Sequence, residues 1–152
     1  MNPEHPAEPA MYARGSGDTL DLLFLQCRAC GALSFPANAY GCHRCGAARE
    51  QGETVRRPGV CTLRNRVTVH QNLAPAIAAP YVVGELELAP GIVEEAVLAI
   101  DDEAAASPGM TMRAVAMPDP NNPGQFVCRF VPAGAPPSHA AAAATPSLEG
   151  RQ

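Results

Sequence analysis

Two matched pairs of cysteines constrain this chain more than any other feature. They read Cys27-Arg-Ala-Cys30-Gly31 and Cys42-His-Arg-Cys45-Gly46, with eleven residues between Cys30 and Cys42. A two-residue gap lets both sulfurs of a pair face one ion while the backbone turns between them. The glycine after the second cysteine can take backbone angles closed to other residues, which suits a tight knuckle. Two such knuckles supply four thiolates, the tetrahedral donor set of a structural zinc. Iron in a rubredoxin-like site is the rival that spacing alone leaves open. A catalytic zinc keeps one position for water, so four sulfurs favour a structural role. His43 lies inside the second knuckle, and its place between two cysteines disfavours it as a substitute ligand.

The start of the chain is polar and proline-rich and shows no secretory pattern. The expected location is therefore the cytoplasm, where thiols stay reduced and paired cysteines serve metals more often than disulfides. No apolar run is long enough to span a membrane, so no membrane partner is expected.

Strand signals follow the cysteines. Leu20 to Gln26 reads as a strand entering the first knuckle, and Ala32 to Phe35 as the returning strand. Cys61 to His70 alternates, which predicts Cys61, Leu63, Asn65, Val67 and Val69 on one face and Arg64, Arg66 and His70 on the other. Tyr81 to Leu88 and Ile92 to Ile100 flank the turn signal Ala89-Pro90-Gly91 and predict a hairpin. Asp101 to Pro108 reads as an acidic loop or short helix. Met110 to Met117 and Gln125 to Val131 complete five strands, the last with Phe126, Cys128 and Phe130 facing inward. The expected fold is mostly β: a zinc ribbon followed by a five-stranded Greek-key barrel of the OB type. The expected organisation is a flexible or helical segment at 1–17, the ribbon at 18–52, the OB-fold at 53–134 and a disordered tail at 135–152.

The net charge of −4 weighs against non-specific nucleic-acid binding. Its distribution is uneven. Between Leu22 and Gly84 there are seven arginines and two acids; from Glu85 onward there are nine acids and three arginines. Arginine binds phosphate in a fork, so the basic half is a candidate anion surface, with a solvated strand face as the plainer reading. The two other thiols, Cys61 and Cys128, fall on inward faces and read as small apolar residues.

The order Leu25-Gln26-Cys27, Cys30-Gly31, Phe35-Pro36, Cys42, Cys45-Gly46, then Thr68-Val69-His70, Gly109-Met110 and Phe130-Val131-Pro132 resembles the DUF35 family. The resemblance spans about residues 10 to 134. It implies a rubredoxin-like zinc ribbon joined to an acyl-CoA-associated OB-fold, with Cys27, Cys30, Cys42 and Cys45 as ligands. Members of that family resemble accessory subunits, bound to thiolase-superfamily proteins that perform the chemistry. The implied role is a non-catalytic subunit of a hetero-oligomer that helps to hold the coenzyme A part of a substrate. Arg64, Arg66 and His70 are the candidate coenzyme A contacts. Two departures stand out: His43-Arg44 replaces a proline-containing pair, and 101–108 is alanine-rich. The alternatives are a nucleic-acid-binding ribbon and OB module, or a subunit of an acyl-CoA hydratase or aldolase complex.

Overall fold

The computed structural model describes residues 4–15, 17–72 and 77–135. The described residues form ten strands: β1 (His5–Pro6), β2 (Tyr12–Ala13), β3 (Asp21–Cys27), β4 (Leu33–Ser34), β5 (Gly52–Pro58), β6 (Val60–Val69), β7 (Tyr81–Ala89), β8 (Ile92–Leu98), β9 (Thr111–Pro118) and β10 (Gln125–Pro132). Short 3-10 turns at Arg49–Gln51 and Glu103–Ala105 are the only helical elements among the described residues.

The barrel is closed. β6 pairs with β7, β7 with β8, β10 with β9, and β9 returns to β6, all antiparallel. The circuit is completed by a parallel contact between β8 and β10 at Leu98 and Phe130. This five-strand order is that of the OB barrel expected from the strand signals. The β7–β8 hairpin turns at Gly91, whose φ of 81° is open to glycine without strain.

The ribbon sheet is larger than the cysteine pattern suggests. β3 is its centre and pairs with β2, β4 and β5. The seven residues of β5 pair along the whole of β3, from Pro58 opposite Asp21 to Gly52 opposite Cys27. Gly52–Pro58 therefore belongs to the ribbon, and the change of sheet falls at Gly59 rather than after residue 52. Sequence pattern hides β5 because no β5 side chain is buried, leaving no alternation to read.

The N-terminal segment also departs from the expectation of a flexible or helical 1–17. β1 runs parallel to the start of β10, and β2 runs antiparallel to the start of β3. Tyr12 is buried, with its ring 5.8 Å from that of Phe126 and Arg14 above the Phe126 ring at 4.4 Å. The tail expectation falls almost wholly on 136–152, outside the described residues.

One core joins the two sheets. Leu20, Leu22 and Phe24 from the ribbon pack in the same cluster as Leu63, Leu86, Leu98, Met112, Phe126 and Phe130 from the barrel. A four-cysteine ribbon is too small to bury a leucine-rich strand alone, and burying a side chain such as Phe24 is worth about 1.5–3 kcal/mol. The barrel supplies the missing cover.

Candidate metal centre

The two knuckles are built identically. The Cys27 carbonyl accepts the Gly31 amide at 2.8 Å, and the Cys42 carbonyl accepts the Gly46 amide at 3.0 Å. The Cys27 amide donates to Ala32 O and the Cys42 amide to Ala47 O, each at 2.9 Å. Gly31 and Gly46 have φ values of 81° and 78°, the left-handed turn that a side chain would strain. Repeated local geometry thus follows directly from the repeated C-x-x-C-G pattern.

The knuckles bring four sulfurs together. Cys27 Sγ lies 3.6 Å from Cys45 Sγ, and Cys30 Sγ lies 3.5 Å from Cys42 Sγ. All four sulfurs lie within 4.8 Å of one another. Four sulfurs placed about 2.3 Å from one tetrahedral ion would be about 3.8 Å apart, so the spacing fits zinc. It is far too long for a disulfide at about 2.05 Å, and all six cysteines are free thiols. His43 stands outside this cluster. Its amide donates instead to the buried Ser34 hydroxyl at 3.1 Å, which ties the second knuckle to β4.

Backbone amides favour the thiolate at two of the sulfurs, Cys42 and Cys27. Cys42 Sγ accepts N–H groups from Cys45 and Arg44, each at 3.4 Å. Those donors, that of Cys45 foremost, lower its pKa to about 6, so its thiolate forms at neutral pH. Cys27 is lowered too, chiefly by the backbone amide of Cys30. Cys61 and Cys128 behave oppositely: burial pushes both thiols up to about 12. Cys61 is buried in the core, as its strand position predicts, while Cys128 keeps some accessible surface.

The ribbon part of the sequence, residues 16–50, matches the family model described as the ChsH2 rubredoxin-like zinc ribbon domain. A solved structure titled "Ltp2-ChsH2(DUF35) aldolase" matches over 74% of this chain and 84% of its own, with a TM-score of 0.60 and 26% identity. Residues 16–50 thus carry a rubredoxin-like zinc ribbon, and the chain is similar to the DUF35 structure over most of its length. No curated protein matches the sequence. Four close cysteines in a rubredoxin-like ribbon support a structural zinc.

The basic face of the chain differs from the arrangement that strict alternation predicts. A β-bulge interrupts β6: Leu63 pairs with Leu86, Asn65 pairs with Glu85, and Arg64 between them has no opposite residue. An inserted residue inverts the alternation beyond it. Val67, expected inward, is 54% exposed. Arg66 turns to the 3-10 segment, where its Nε donates to Ala106 O at 2.8 Å and Glu103 O at 3.1 Å. Thr68 follows it and donates to the Glu103 carboxylate. Arg64 instead faces Glu87 at 3.7 Å, and His70 is exposed just past the strand. The three candidate residues are therefore not gathered on one face.

Much of the remaining positive charge is engaged locally. Arg28 meets Glu53 at 3.5 Å, Arg56 meets Asp21 at 3.1 Å, and Arg49 donates to Asn38 O at 3.1 Å. The excess of arginine in this half serves ties within the ribbon sheet as well as its outer potential.

Proposed function

We propose that this chain is a non-catalytic subunit of a hetero-oligomeric acyl-CoA enzyme of the thiolase superfamily, acting in aldolase-type or acyl-transfer chemistry. The carrying observation is the match across both ribbon and barrel to the DUF35 component of a structure titled as an aldolase. The donor set supports an accessory role, because Cys27, Cys30, Cys42 and Cys45 would occupy every position of a tetrahedral ion and leave none for substrate. In this role zinc stiffens the ribbon and holds its two knuckles at fixed separation. Contact with the coenzyme A part of the substrate belongs to the same proposal. Arg64 and His70, both exposed, are the residues we assign to it, since Arg66 already holds two carbonyls.

Co-expression with a thiolase-superfamily partner tests the reading. The two chains are expected to elute together, and acyl-CoA turnover to appear only in the pair. Turnover by this chain alone would overturn it. Within the pair, the double variant Arg64→Ala, His70→Ala is expected to weaken coenzyme A binding about tenfold without separating the subunits; unchanged binding would remove these residues from the role.

A further inference from the structure

The barrel is fully laddered except along one seam. β8 and β10 share only the Leu98–Phe130 register pair. Toward Ile92 on one strand and Gln125 on the other they part, and β1 takes the edge of β10 at Gln125 and Phe126. A cavity of about 620 Å³ occupies the opening. Its apolar walls come from three directions: Met11 and Tyr12 of the N-terminal segment, Leu22 and Phe35 of the ribbon, and Leu86 and Leu88 of β7. A volume of this size with mostly apolar walls and a few polar groups is the usual form of a small-molecule site.

Two polar side chains distinguish the cavity from a packing defect. Arg129 lines it and donates from Nη1 to Cys128 O at 3.0 Å. No carboxylate lies within ion-pair distance of its guanidinium among the described residues. Asp119, also in the lining, spends its carboxylate on the Asn121 amide at 2.9 Å and the Asn122 side chain at 3.1 Å. A partly buried guanidinium stays charged, and its planar fork suits a carboxylate in two-point contact. Glu94 alternates with the buried Ile92 and Leu98, which places it on the inner side of β8. Desolvation by burial raises its pKa above the usual carboxylate range. The other acids of the lining, Glu8 and Glu95, are exposed to solvent.

We propose that the seam between β8 and β10 is a binding slot for a small amphipathic carboxylate, whose apolar body lies against the partly exposed Met11, Phe35 and Leu88 and whose carboxylate is held by Arg129. The slot shares no lining residue with the four-sulfur site. It goes beyond the accessory role and does not depend on it, since the isolated chain should bind such a ligand without any partner.

Titration calorimetry on the full zinc-loaded chain tests it, with decanoate as ligand and decanol as the uncharged counterpart. The wild-type chain should bind decanoate at least about tenfold more tightly than decanol. Arg129→Gln should remove that preference while leaving decanol binding unchanged. Ala96→Phe, which places a ring in the slot, should abolish binding of both. Equal binding of decanoate and decanol to the wild type, no binding of either, or an undiminished preference in folded Arg129→Gln would each overturn the proposal. The wild-type comparison decides the matter even if a variant fails to fold.

Discussion

Gly59 and Ala114 fasten the ribbon to the barrel. The Ala114 amide donates to Gly59 O at 2.7 Å, and a Cβ on Gly59 would lie 2.7 Å from the Ala114 Cβ. The same junction holds Leu20, whose carbonyl accepts the Gly59 amide at 2.8 Å and whose amide donates to Ala114 O at 2.9 Å. Three segments distant in sequence thus meet through backbone bonds at the point where the chain leaves one sheet for the other.

This closeness makes Gly59→Ala costly. The added methyl would also stand 2.5 Å from Leu20 O, so backbone must move. The expected loss is about 1–3 kcal/mol, read as a lower urea midpoint. Gly134→Ala, with open space around it, should change the midpoint little.

Cys42→Ser should release the metal. Bound zinc, measured by elemental analysis, is expected to fall from about one per chain to well below half, because a three-sulfur site loses its closed shell. A chelator should mimic the variant and lower the melting temperature of the wild type.

The thiols should separate by pH. In the metal-free chain Cys42, with its pKa lowered to about 6, is mostly thiolate above that pH. Its alkylation by iodoacetamide should therefore rise through pH 6 and level off before pH 8, as followed by peptide mass spectrometry. Cys61 and Cys128, pushed up to about 12, should stay unlabelled over that range while the chain remains folded. Zinc should protect Cys42, and zinc retention should weaken as acid protonates it.

Arg64 and Arg66 should differ sharply. Arg66→Ala strands the carbonyls of Glu103 and Ala106 and is expected to cost about 1–3 kcal/mol in thermal or urea unfolding. Arg66→Lys should restore little, since an ammonium lacks the fork geometry. Arg64→Ala removes only an exposed pair with Glu87 and should cost about 0–1 kcal/mol.

The features legible in the sequence were those whose cause is local. Cys27, Cys30, Cys42 and Cys45 announce their knuckles because two intervening residues and a following glycine suffice to shape each turn. The barrel strands show through because apolar side chains two residues apart meet the core, as Cys61 and Leu63 do in β6 and Met112 and Ala114 in β9, and the turn at Ala89-Pro90-Gly91 joins two strands directly. Phe126 and Phe130 are inward as their spacing requires.

What only the tertiary structure decided depends on partners far along the chain. β5 exists because β3 offers a full edge to pair with, although its own residues carry no apolar pattern. Tyr12 becomes core because Phe126 stands more than a hundred residues away to receive it. Arg64 and Arg66 part because a bulge answers the register of β7, and no count along β6 alone reveals an extra residue in a ladder. The sequence by itself determined the chemistry of the four-sulfur site, since covalent spacing sets it. Pairing and packing determined which side chains the barrel presents, since a strand's faces are defined only by what lies across from them.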